Sequence, residues 1–109
     1  MITWNDFEKV EMRVGTILEV KDFAKARNPA YQLWIDFGEL GIKKSSAQIT
    51  KRYEKEALIG KQIIAVVNFP PKQIADFMSE CLVLGVIGLD KEVILLQPER
   101  GVENGFRIG

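Results

Sequence analysis

Histidine is absent from the 109 residues of this chain. Its absence removes the commonest general base and the commonest metal ligand, so histidine-based triads and histidine-bound metals are excluded. Cysteine occurs once, as Cys81, which excludes an internal disulfide framework and a cysteine-based zinc site. No apolar run approaches the roughly 20 residues of a membrane span, so no membrane insertion is expected. The N-terminus, MITWNDFEKVEMR, is acidic and lacks a signal-peptide pattern, and a cytoplasmic location is expected. Net charge is missing too: 15 basic and 15 acidic side chains cancel, which argues against strong non-specific binding to nucleic acid.

The charge that is present is uneven. Residues 43–72 carry Lys43, Lys44, Lys51, Arg52, Lys55, Lys61 and Lys72 against Glu54 and Glu56, while both flanking segments are acidic. Such a stretch permits a specific phosphate-contacting surface. The competing reading is an ordinary solvated face. Neither metal nor cofactor is expected. Asp36, Glu39, Asp76 and Glu80 have no spacing that links them into an acid/base pair. Cys81 opens an apolar strand with no clear cation beside it, the setting of a structural thiol. A binding protein is therefore expected rather than an enzyme.

The centre of the chain is KQIIAVVNFPPKQIADFMS, Lys61–Ser79. Its β-branched run Ile63–Val67, between Gly60 and Pro70, predicts a buried strand. That strand delivers a proline-fixed loop with Asn68, Lys72, Gln73 and Ser79, the usual division between scaffold and working loop. Upstream, Thr3 and Asp6 have capping-box spacing and Ile2 and Phe7 occupy hydrophobic-staple positions, so a short helix is predicted at the start. Met12–Val20 reads as a strand with Met12, Val14, Leu18 and Val20 on one side and Gly15 as a bulge or bend. Tyr31, Leu33, Ile35 and Phe37 alternate with Gln32, Trp34 and Asp36, the clearest strand signal. Lys43–Ile49 predicts a third strand, and Thr50 caps a predicted helix over residues 51–59. Cys81–Ile87 and Val93–Leu96 complete the strands, and Asn104-Gly105 marks a turn in an extended tail.

The sum, for a single domain over residues 1–109, is mostly β: about five strands, one helix between the third and fourth, a helix before and a tail after. That order fits a five-stranded OB-fold barrel with appendages. The pattern alone also fits a different small α+β sheet.

The string Val67-Asn68-Phe69-Pro70-Pro71-Lys72-Gln73-Ile74, followed by Ser79, resembles the signature of the OB-fold tRNA-binding domain family. Asn68, Pro71, Lys72, Ile74 and Ser79 match; Gln73 stands for a second basic residue, Asp76 for a glycine, and Cys81-Leu82 for Gly-Met. Further strings are similar to the CsaA subgroup: Ala26-Arg27 with Pro29-Ala30-Tyr31, Ile35–Gly38, Lys44–Tyr53, Ala65–Pro71, and Leu95–Pro98 through to Ile108-Gly109. The resemblance spans essentially the whole chain. It implies a cytoplasmic, homodimeric OB-fold chaperone associated with protein export and its translocase. In that subgroup the N-terminal helix and C-terminal tail, here 1–10 and 97–109, build the dimer, which fits the otherwise unpartnered Trp4, Phe7, Phe106 and Ile108.

Two functions follow. The first is binding of unfolded or export-bound polypeptides through Trp34, Phe69, Ile74, Phe77 and Met78, because aromatics and methionine supply adaptable apolar surface. The competing reading places these residues in the core or the dimer interface. The second is tRNA binding, with Lys43, Lys44, Lys51, Arg52 and Lys72 on phosphates and Ser46, Gln48, Asn68 and Ser79 as polar contacts. For Asn68 and Ser79 the alternative is a turn or cap role.

Overall fold

A computed structural model describes residues 1–109. The fold is organised around β1 (Met12–Asp22), the longest strand, which pairs antiparallel with two neighbours. Its second half lies against β2 (Tyr31–Asp36), and β2 lies in turn against β3 (Ile42–Ala47). Its first half lies against β4 (Gln62–Val66). A two-residue hairpin follows, β5 (Lys72–Ile74) and β6 (Phe77–Ser79). The short β7 (Leu82–Val83) then pairs with β4, giving the sheet order β3-β2-β1-β4-β7.

The sheet curls until its two edges meet. Glu80 N–H donates to the Lys44 carbonyl at 2.7 Å, and Lys44 N–H donates to the Glu80 carboxylate at 2.9 Å. Ser46 N–H donates to Ser79 Oγ at 3.1 Å, and Ser45 Oγ donates to the Cys81 carbonyl at 2.9 Å. One backbone bond and three that involve side chains thus join this seam, giving the nearly closed five-stranded barrel of an OB-fold. Inside it lie Ile17, Leu33, Ile35, Phe37, Leu58 and Ile63, all fully buried.

Several elements follow their local chemistry. Helix α1 (Trp4–Glu8) has the complete capping box: Asp6 N–H donates to Thr3 Oγ1 at 3.1 Å, and Thr3 N–H donates to Asp6 Oδ2 at 2.9 Å. In β2 the alternation holds, with Tyr31, Leu33 and Ile35 buried and Gln32, Trp34 and Asp36 half-buried. The Asn104-Gly105 turn is present, with Gly105 at φ +92°.

Others depart from the sequence expectation. The bulge in β1 lies between Ile17 and Glu19 rather than at Gly15, so Ile17 is buried and Leu18 exposed. Gly15 instead allows close packing, since a Cβ there would stand 2.6 Å from Ile35 Cγ2. The helix predicted over residues 51–59 shrinks to one turn, α2 (Lys55–Leu58), with Glu54 rather than Thr50 at its N-cap. Only Leu58 of that turn is buried, too little apolar surface to hold a longer helix. The predicted strand Cys81–Ile87 splits after Val83. Its second part, β8 (Gly85–Ile87), leaves the barrel to pair with β9 (Val93–Leu95), leaving Val86 and Ile87 exposed.

The tail is more ordered than an extended segment. Val14 exchanges backbone hydrogen bonds with it, donating to the Phe106 carbonyl at 3.0 Å and accepting from Gly105 N–H at 2.7 Å. Ile108 N–H donates to the Met12 carbonyl at 2.9 Å. The tail occupies the edge of β1 that β2 vacates beyond its last partner, Thr16. No helix is long and apolar enough to cross a membrane.

Candidate functional site

At the barrel seam a groove of about 490 Å³ opens between β3 and the β5–β6 hairpin. β3 and the residues just after it contribute Ser46 and Gln48. The β4–β5 connection contributes Phe69 and Pro70, and the hairpin Lys72, Ile74 and Ser79. Glu80, Cys81 and Leu82 close the remaining wall. The two stretches singled out from sequence, Lys43–Tyr53 and Asn68–Ser79, therefore meet on one surface.

The hairpin is held from behind by a small second core. Phe77 is only 6% exposed and packs edge-on to Phe23, with centroids 5.4 Å apart, and to Trp34 at 5.9 Å. Lys44 covers the Phe77 ring at 5.1 Å, and Lys21 stands over Trp34 at 5.0 Å. At the hairpin tip Lys25 Nζ donates to Asp76 Oδ2 at 2.9 Å, which holds the Asp76 carboxyl below the usual carboxylate range. Ala75 beside it has φ +52°.

These placements sort the sequence-predicted residues. Phe69 (54% exposed) and Met78 (39%) present apolar surface, and Ile74 is half-buried in the groove wall. Phe77 is buried, with its ring packed in the second core, and Trp34 is half-buried against it. Of the polar set, Ser46, Gln48, Lys72 and Ser79 line the groove. Lys51 and Arg52 do not. Lys51 Nζ donates to the Asp90 carbonyl and Arg52 pairs with Glu92 at 3.1 Å, both at the β8–β9 turn. Lys43 and Lys44 are half-buried on β3. Asn68 holds the α1–β1 linker, accepting from Glu11 N–H at 3.0 Å and donating to the Lys9 carbonyl at 2.7 Å. Trp4 (83%) and Phe106 (56%) are exposed, while Phe7 and Ile108 are half-buried.

Sequence reasoning missed Leu82 and Glu80 as groove residues. Leu82 reads as strand interior, yet the seam leaves it 49% exposed. The Cys81 thiol is buried at the groove floor, and burial pushes it up from its ordinary 9.0 to about 12. It is therefore protonated and packs as a small apolar group. No three Cys, Asp or Glu side chains converge to hold a metal ion.

Residues 12–107 match the family model described as a putative tRNA binding domain. The chain belongs to the tRNA-binding domain family. Among this family's members it is similar to the methionine–tRNA ligase of Methanococcoides burtonii, 32% identical over 96% of this chain. It is also similar to that of Leptospira biflexa, 36% identical over 95% of this chain. The chain spans only about 15% of the length of these ligases, so it corresponds to one domain of each. Two solved structures match it end to end. Chaperone CsaA from Bacillus anthracis superposes with a TM-score of 0.96 at 54% identity, covering 100% of this chain and 99% of that one. CsaA chaperone protein from Picrophilus torridus gives 0.94 at 59% identity, with both chains fully covered. The family is defined by a binding domain, and in the ligases that domain is a small part of a larger enzyme.

Proposed function

We propose that this member of the tRNA-binding domain family is a homodimeric chaperone that binds unfolded or export-bound polypeptides in the seam groove and has no catalytic activity of its own. The make-up of that groove carries the reading. Phe69, Pro70, Ile74 and Leu82 offer apolar surface, and Lys72 is its single cation. Of the other candidate cations, Lys51 and Arg52 are engaged at the β8–β9 turn and Lys44 lies over Phe77, while Lys43 is half-buried on β3 outside the groove lining. A groove of this kind suits an extended chain with apolar side chains better than a row of phosphates. End-to-end similarity to two CsaA chaperones supports the same reading. Phe69, Met78 and Ile74 would touch the client, with Phe77 and Trp34 supporting them from behind. Dimerisation through Trp4, Phe7, Phe106 and Ile108 would cover the apolar groove between α1 and the terminal Gly109. A cytoplasmic location and a partnership with the export translocase complete the proposal.

A second reading is tRNA binding through the same groove. The family membership favours it, together with the convergence of Ser46, Gln48, Lys72 and Ser79. The two readings separate in one experiment. The purified protein is titrated against a labelled, permanently unfolded polypeptide and, across a salt series, against tRNA. Polypeptide binding weakened by Phe69→Ala and insensitive to salt supports the chaperone. Steeply salt-dependent tRNA binding that loses slope in Lys72→Ala supports the second reading. Failure both to bind the polypeptide and to suppress its aggregation refutes the first.

A further inference from the structure

We infer that Asn68 is a positioning residue that couples helix α1 to the groove; this rests on the reading of the groove as a ligand site. Both functional groups of the Asn68 side chain are committed to the linker between α1 and β1. Its Oδ1 accepts from Glu11 N–H at 3.0 Å, and its Nδ2 donates to the Lys9 carbonyl at 2.7 Å. Alongside, Val67 N–H donates to the Glu11 carbonyl at 2.9 Å. Residues 9–11 and 67–68 therefore form one stitched unit.

The next two residues, Phe69 and Pro70, are groove wall. The pyrrolidine rings of Pro70 and Pro71 fix their own φ and restrict the residue before each, so this segment is stiff. Its far end is pinned where Lys72 pairs with Ser79. A displacement at Asn68 is therefore carried into Phe69 and Pro70 rather than absorbed by intervening bonds.

At the other end of the coupling, α1 is a five-residue helix with no buried residue. A helix this short does not persist alone, so its order depends on what packs against it. Inside the chain its end is also held by Arg107, which donates to the Glu8 carbonyl at 2.7 Å. Whatever orders α1, a second copy of this chain included, fixes Lys9–Glu11 and through Asn68 sets the groove wall. By linkage, a ligand in the groove orders α1 by the same factor. A purely local turn role for Asn68 would produce no such cross-talk.

The test is a double-mutant cycle on the full chain, read by NMR. Phe7→Ala perturbs α1, and the backbone resonances of Phe69 and Lys72 are followed in the native and Asn68→Ala backgrounds. The expected result is a shift in the native background that falls several-fold in Asn68→Ala. Affinity for a labelled apolar peptide of about ten residues, too short to span two grooves, should fall about fivefold with Phe7→Ala, and not with the same change in Asn68→Ala. Asn68→Asp keeps the acceptor for Glu11 N–H and removes the donor to Lys9. It should give the same contrast at smaller amplitude if Asn68→Ala folds poorly. Resonances of Phe69 and Lys72 that ignore Phe7→Ala, or shift equally in both backgrounds, overturn the coupling. If neither polypeptide nor tRNA binds, the groove function fails while the resonances still decide the coupling.

Discussion

Replacing Phe77 by alanine tests the division between hairpin support and groove contact. The ring is 6% exposed and makes two edge-on aromatic contacts, to Phe23 and Trp34. Truncating a packed phenylalanine costs about 3–5 kcal/mol, of which aromatic pairs contribute roughly 0.5–1.5 kcal/mol each. The second core has only three buried residues, Phe23, Ala30 and Phe77, with Ala26, Trp34 and Ile74 partly buried around them. Such a cluster collapses more readily than the barrel interior, which places the expected loss near the lower end, about 3 kcal/mol. Phe77→Leu keeps most of the volume and should cost about 1 kcal/mol. Phe69→Ala, at a side chain 54% exposed, should leave stability within about 0.5 kcal/mol while weakening ligand binding. The assay is equilibrium unfolding in urea for all three variants beside the native chain, with hydrogen exchange of the Lys72–Ser79 amides. A Phe77→Ala chain within about 0.5 kcal/mol of the native one, or a Phe69→Ala chain destabilised as much as Phe77→Ala, would contradict this division of roles.

Three further outcomes are expected. Because the Cys81 thiol is raised from 9.0 to about 12 in the folded chain, its contribution to stability is intact below about pH 9 and is lost as pH rises toward 12. Stability should fall by about 1 kcal/mol between about pH 8 and pH 10 through this group, and Cys81→Ala should flatten that slope; an unchanged slope contradicts the assignment. Gly38 sits at φ +66°, and a Cβ there would stand 2.4 Å from the Asn104 carbonyl oxygen, so Gly38→Ala should cost about 1–3 kcal/mol. It should also speed exchange at the Val14 and Gly105 amides that join the tail to β1, and unaltered exchange would count against that tail contact. Finally, Trp4→Ala or Phe106→Ala should weaken binding of long unfolded clients more than short peptides, because two grooves in a dimer add avidity only for a chain that spans both. Equal losses for long and short ligands would argue against a dimeric site.

Much of the barrel was legible because its signals are local. The Tyr31–Phe37 alternation, the Ile63–Val67 run and the Thr3–Asp6 capping box are each set by neighbours within a few residues, and each appears in the structure. The failures have one cause. Cys81–Ile87 is as apolar as a buried strand, yet beyond Leu84, whose N–H still donates to the Ile64 carbonyl at 2.9 Å, the chain pairs with the distant β9 instead of β4. Leu18 and Ile17 exchange sides because a bulge shifts the period by one, and no local residue announces it. The hairpin turn at Ala75-Asp76 carries no glycine signal; it is held by Phe77 and by the Lys25–Asp76 pair from a distant loop.

The candidate site shows the same division. The residue types that line the groove stand in two basic and polar stretches, and their separation in the chain says nothing of which face each would take. Asn68 and Ser79 could be recognised as special from sequence, but their partners, the α1–β1 linker and the β3 edge, lie 57 and 33 residues away. Lys51 and Arg52 look equivalent to Lys72 in a charge count and differ only because the β8–β9 turn folds back onto them. By itself, then, the sequence determined that this is a β-rich chain without histidine chemistry, because composition and short-range periodicity are properties of the chain alone. Only the tertiary structure decided which cations line the groove, which aromatics are buried and which exposed, and what Asn68 holds. Exposure and pairing depend on segments brought together by barrel closure, and no local rule encodes them.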